Sequence, residues 1–363
     1  MPAPERLKLM KSSPKLGATA LFLARGVAYT VDDALASALF RGSLDGAIEE
    51  TLRLTAAEKR AAEEGLEADG KALQASADRF RYDHDLISAG ETEKWLEDRR
   101  MTMEDFSGWL HGRLCISGRD ALKPATAPDD FPHLLRVHLW MSGGMEELET
   151  QLSRRIAAGF EVAEREETLS TEPVMQRFLE RHRLDERSLS GWLAALGRER
   201  SWLAETVRIE AAFDRLSSLA IAGDARARKL ALMELSMARI EMETLELDSE
   251  AAAREAFLCV RNDGSSLSEV AVETGFRAER AEVWIDTLDD TLGSRLLNAA
   301  EGEVIGPIEH DGGFRVYQVL RKLKASLTEP AVTSRIDKLI VDELFAGICA
   351  HHIQARDFAR TET

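Results

Sequence analysis

Cysteine is scarce in this 363-residue chain. Cys115, Cys259 and Cys349 lie far apart, and none belongs to a CxxC pair or a metal-ligand spacing. They read as buried thiols of a reducing compartment, so the expected location is cytoplasmic. No apolar run reaches the ~18 residues of a membrane-crossing helix. No secretory leader is evident either, because the run Ala18–Ala24 is short and no small-residue cleavage site follows it. Gly143-Gly144 and Gly312-Gly313 lack a phosphate-loop frame, and no Gly-x-Ser-x-Gly elbow occurs. Positive charge is in deficit, with 47 Lys and Arg against 64 Asp and Glu, a net charge of −17. That argues against a general nucleic-acid binder and against an anionic membrane surface. No cofactor, metal, nucleic acid or membrane partner is expected. The balance suits a protein that handles neutral or basic peptides.

Hydrophobic residues make up 44% of the chain and charged residues 31%, an ordinary soluble composition with length for two or three domains. Residues 1–17 read as a loose basic tail. Leu21–Val27 reads as a strand, and Thr30-Val-Asp-Asp33 as a helix N-cap with an acidic first turn. Helical periodicity runs from Leu44 to Leu114, with breaks placed at Gly70 and Ala89-Gly90. The proline-rich stretch Arg119–Pro132 reads as a linker or loop. Helices resume over His133–Phe160, broken at Gly143-Gly144.

An internal repeat follows. Phe80-Arg-Tyr-Asp-His84-Asp-Leu86, then Trp95-Leu96, matches Phe178-Leu-Glu-Arg-His182-Arg-Leu184, then Trp192-Leu193. Gly46/Gly144 and Phe80/Phe178 share an offset of 98, which slips by one at Trp95/Trp192. Two copies are too few for a solenoid. They read as a duplicated helical unit whose apolar faces pack together. His84 and His182 are expected at helix ends beside their Trp rather than on a metal. His133 and His138 miss the i, i+4 spacing of a helical metal pair, and His351-His352 read as solvated.

From Arg239 the period changes. Ile240–Leu247 reads as a strand, Ser249–Val260 and Ser266–Thr274 as helices, Ala281–Ile285 as a strand and Leu288–Ala300 as a helix. The stretch Glu301–Lys322 closes this region as a hairpin. Pro307 fits only an edge strand or a strand start, and Asp311-Gly312-Gly313 suits a primed turn. A last helix is read over Ala331–Phe358. The expected fold class is α+β, mainly α: helical units at 18–132 and 133–237, a small antiparallel-sheet domain at 238–327, and a C-terminal helix at 328–363 returning to the helical part.

Gly302-Glu-Val-Ile-Gly-Pro307 and Gly313-Phe-Arg-Val-Tyr-Gln-Val319 resemble the closing hairpin of parvulin-type peptidyl-prolyl isomerases. The β-α-α-β-α-β-β order over 238–325 is similar to theirs. The Phe-x-x-x-His-x-Leu and Trp-Leu pattern resembles the helical domain of the SurA/PrsA class of peptide-binding chaperones, over most of 18–115 and again over 133–220. The resemblance implies a shallow cleft in which two sheet histidines and a Cys or Asp act on a prolyl bond whose barrier is roughly 18–20 kcal/mol. This sequence departs from that pattern. The strand 238–247 has no histidine, Arg315 stands at the family's histidine position, and the usual Phe is replaced near Leu297. The cleft positions are Arg315, Leu297, Trp284 and Phe314, with Glu241 or Glu243 expected to pair Arg315.

Trp95, Trp109, Trp140, Trp192 and Trp202 read mostly as core, or in the sharper reading as a peptide-accepting groove. The expectation is a chaperone-like protein that binds unfolded or ribosomally made precursor peptide, with a peptide-modifying enzyme as a second partner and little isomerase activity. An active isomerase and a non-enzymatic scaffold are the rivals.

Overall fold

The computed structural model describes residues 16–65, 69–116, 127–310 and 312–355. The chain is mainly helical with small antiparallel sheets, the α+β class expected. It divides into two compact units, Met1–Ser217 with Leu344–Thr363, and Ser218–Glu343.

The first unit opens with β1 (Ala20–Ala24) and β2 (Val27–Thr30). Where one strand was expected there is a hairpin. Arg25 and Gly26 both take positive φ, the backbone of a two-residue primed turn. Leu16, at the end of the supposed loose tail, is buried at 1% exposure. Thr30 caps α1 (Val31–Arg41) in a reciprocal box with Asp33, as its sequence predicts.

Four helices follow: α2 (Asp45–Glu64), α3 (Gly70–Asp83), α4 (Ala89–Asp98) and α5 (Met103–Ile116). The same order returns in α6 (Phe131–Met141), α7 (Gly144–Glu164), α8 (Glu172–His182), α9 (Glu186–Ala195) and α10 (Arg200–Ala220). Gly70 and Ala89 turn out to be first helical residues rather than breaks. Their preceding residues, Asp69 and Ser88, cap the helices with side-chain oxygens. A further break falls at Arg99-Arg100, where Arg100 takes positive φ.

Helices α1 and α6 are buried nearly all round, which places them at the centre. Both five-helix runs feed one core, in which Leu35, Phe40 and Phe80 join Leu135, Trp140 and Phe178. The aromatic triad repeats in detail. Phe80 meets Trp95 at 5.5 Å and 81°, and Phe178 meets Trp192 at 5.0 Å and 77°. His84–Trp95 and His182–Trp192 lie at 5.3 and 5.5 Å, each pair tilted by 52°. The offset is not uniform, however. Buried Ile48 and Leu52 match Leu148 and Leu152 at 100, so the Gly46/Gly144 pairing is two residues out of step with the buried stripe.

The second unit carries α11 (Ala225–Leu232), then β3 (Arg239–Leu247), α12 (Glu250–Leu258), α13 (Leu267–Thr274), β4 (Ala278–Trp284), α14 (Asp290–Asn298), β5 (Val304–His310) and β6 (Gly313–Leu323). A π-helical turn follows α12. The sheet order is β4-β3-β6-β5, antiparallel throughout, so β3 and β6 share one sheet as expected. Pro307 lies on edge strand β5, where no ladder donor is needed. Asp311, part of the expected turn, falls outside the described residues.

Both sheet faces are covered. Leu245, Leu247 and Val316 pack with α12 and α13, while Ile240, Met242, Tyr317 and Val319 pack with α14. The last helix, α15 (Pro330–His352), begins in the second unit and ends in the first. It stops six residues short of the expected end. Ile353–Ala355 forms β7, which pairs with β1, and Phe358 falls outside the described residues. Within the first unit Phe345 stacks on Phe213 at 4.7 Å.

Candidate functional site

In the sheet, Arg315 sits directly opposite Glu246, and its Nη2 lies 2.8 Å from Glu246 Oε2. Neither expected partner is used. A bulge between Glu241 and Met242 sets Glu241 opposite Arg321 and Glu243 opposite Gln318. Glu241 is held by Arg280 and by Arg321 Nε at 2.6 Å, and these bonds keep its carboxyl below the usual range. Glu243 accepts from Ser268 Oγ at 2.9 Å.

The four supposed cleft residues do not converge. Phe314 and Arg315 are neighbours on β6, so their side chains leave opposite faces, and Phe314 joins the α12–α13 core. Leu297 packs on the α14 side, its carbonyl accepting from Lys322 Nζ. Trp284 belongs to a third cluster with Met237, Val332 and Ile336, flanked by the Arg239 and Arg335 guanidiniums at 5.1 and 4.8 Å.

The tryptophans of the first unit also divide. Trp140 and Trp192 are core, at 1% and 2% exposure. Trp95 and Trp202 are half-buried, the first under Arg99 at 4.0 Å and the second beside Trp192 at 6.4 Å. Of the five, only Trp109 lines a cavity of ≈ 410 Å³ in this unit. Helix α3 supplies Arg79 and Phe80 to it and His84 just past its end, α5 supplies Trp109 and Arg113, α6 supplies Met141 at its end, and the α6–α7 turn supplies Ser142 and Gly143. Trp109 Nε1 donates to His138 Nδ1 at 3.2 Å, which fixes the indole plane. Burial pushes His84 and His138 down, so both imidazoles are neutral at neutral pH. His133, the other member of the rejected pair, instead bonds Asp105 at 2.6 Å.

This cavity lies where the duplication breaks down. The α1–α2 turn of the first half is closed by α8 of the second: His182 Nε2 and Arg181 Nη1 both reach Phe40 O, at 3.1 and 3.3 Å. Gly42 makes room, since a Cβ there would stand 2.8 Å from Arg181 Cδ. At the offset of 98, the residue matching Arg181 is Asp83, whose short acidic side chain cannot reach a carbonyl in the same way. The α6–α7 turn and the end of α3 thus leave an open space. Sequence reasoning recognised the repeat but missed this cavity. The Asp83/Arg181 mismatch was its visible signal.

No family model and no curated protein matches the chain. Among solved structures it is similar to a peptidylprolyl isomerase (PrsA) from Bacillus anthracis, at 10% identity and a TM-score of 0.30, covering 55% of this chain and 94% of that one. It is also similar to the foldase protein PrsA from Streptococcus pneumoniae, at 9% identity and a TM-score of 0.28, covering 63% and 89%. A third is one of the SurA-like chaperones of Campylobacter jejuni, at 9% identity and a TM-score of 0.20, covering 58% and 83%.

Proposed function

We propose that this chain is a peptide-binding, chaperone-type protein that holds extended segments of an unfolded or precursor polypeptide in the cavity between α3, α5 and the α6–α7 turn. The observation that carries the reading is the broken duplication: a space closed by Arg181 in one half is open in the other. Its volume of ≈ 410 Å³ suits one or two large side chains. Phe80, Trp109 and Met141 offer apolar and aromatic contact, and Met adapts to varied shapes. Arg79 and Arg113 offer donors for backbone carbonyls of the bound segment.

The finer reading places the client among ribosomally made precursors in the cytoplasm, presented to a peptide-modifying enzyme. The three cysteines are half-buried and lie far apart in sequence, which suits a reducing compartment.

Negligible proline isomerisation is part of the same reading. Arg315 is tied to Glu246, β3 carries no histidine, and the residues expected to cradle a prolyl ring lie on different faces. A preorganised donor set in a dry pocket is therefore missing from that sheet. The test is calorimetry with extended apolar peptides on wild type and Trp109→Ala, beside protease-coupled cis/trans kinetics. Micromolar binding lost in the variant, with no prolyl catalysis, is expected. Catalysis at a rate well above background would overturn the inactive-site reading.

A further inference from the structure

The end of α15 was read as solvated, yet His352 is buried, its side chain 3% exposed. Its Nε2 lies 3.2 Å from Glu161 Oε2 on α7. His351 stands against it at 4.6 Å between ring centroids. One turn beyond Glu161, Glu164 closes the group. One ligand atom from each of Glu164, His351 and His352 lies within 4.8 Å of the others.

We propose that Glu164, His351 and His352 bind a divalent transition-metal ion, with Zn²⁺ preferred. Two imidazoles and one carboxylate are the donors of Zn²⁺, Co²⁺ and Ni²⁺ rather than of Mg²⁺ or Ca²⁺, which take oxygen ligands. Donors around a tetrahedral Zn²⁺ stand about 3.3 Å apart, as follows from bonds of ~2.0–2.1 Å. Closure from the present spacing therefore asks for modest rotamer shifts. His351 and Glu164 are exposed, Glu164 having to loosen its pair with Arg25, while His352 is already fixed. Glu161 acts as the outer carboxylate that orients the His352 ring, the arrangement that metal-binding histidines ordinarily show. Three protein donors leave a fourth position for water. The ion would tie the end of α7 to the junction of α15 and β7, beside the strand pairing of β7 with β1. Arg25 opposes it, because its guanidinium is paired with Glu164 Oε1 and places a positive charge beside the site.

The test is a titration of the full chain, free of any polyhistidine tag, with Zn²⁺ by calorimetry and Co²⁺ by visible absorption. One Zn²⁺ per chain is expected, with a rise in melting temperature that EDTA reverses. His351→Ala and Glu164→Gln, both at exposed positions, are each expected to weaken binding at least tenfold while keeping the native circular dichroism. Arg25→Gln is expected to tighten it several-fold. Wild-type affinity in the two ligand variants, or no saturable binding below millimolar Zn²⁺, would overturn the proposal. So would a thiolate-to-Co²⁺ charge-transfer band, which would place the ion on a cysteine, Cys115 beside His111 at 3.7 Å being one such place.

Discussion

Replacing Glu210 by Gln tests how the two halves of the first unit are held. Glu210 on α10 is 6% exposed and is shared by two guanidiniums. Arg155 Nε on α7 lies 2.8 Å from Oε1, and Arg41 Nη1 on α1 lies 3.2 Å from the same atom. Arg41 is pushed down to about 10, first by burial and then by Arg155, so the carboxylate is what makes two buried cations tolerable. Breaking a buried ion pair costs roughly 3–5 kcal/mol. The guanidiniums keep other acceptors here, Arg41 on Ser37 Oγ and Gln151 Oε1 and Arg155 on the Gln151 carbonyl, so the expected loss is about 3 kcal/mol, the low end of that range. Urea unfolding followed by tryptophan emission suits the assay, because five of the six tryptophans lie in this unit. A triple replacement by apolar residues, Glu210→Leu with Arg41→Met and Arg155→Met, is expected to be near neutral. A loss under about 1 kcal/mol for Glu210→Gln would refute the argument, since that is the scale of an exposed pair.

Glu149 is pushed up to about 7, first by burial and then by Glu146, against the pull of Arg99. A carboxyl with a raised folded pKa favours the protonated folded state, so its contribution is present below pH ~4.3 and lost as pH rises through about 7. Glu149→Gln is therefore expected to gain stability over wild type between pH 5 and pH 8 in thermal melts, and an equal difference at both would count against it. Gly306 takes φ +135°, and a Cβ there would stand 3.0 Å from Arg315 O, a backbone atom that cannot step aside. Gly306→Ala is expected to cost about 1–3 kcal/mol, read as faster amide exchange along β5 and β6, and unchanged protection would contradict the geometry.

The sheet of the second unit was readable because β3, β5 and β6 are rich in Val, Ile and Leu and the hairpin carries turn glycines. The duplication was readable because a Phe–His–Trp cluster leaves a sparse, recognisable spacing. Helix boundaries were harder. Asp85, Arg100, Glu166 and Arg183 take positive φ without being glycine, so the breaks they make carry no ordinary turn signal. The partner of Arg315 depends on a bulge, and one slipped residue reassigns every cross-strand pair. The burial of His352 depends on α15 ending there and β7 joining β1, a long-range event that local pattern does not encode.

Asp83→Arg tests the central claim most directly. Asp83 is exposed, so the change should leave the fold intact, and it restores at the end of α3 the residue that closes the matching space in the other half. Calorimetric titration with an extended apolar peptide is the measurement. The account predicts saturable binding to wild type and a loss of at least tenfold in Asp83→Arg. Equal affinity in the two proteins, or no binding to wild type, would contradict it.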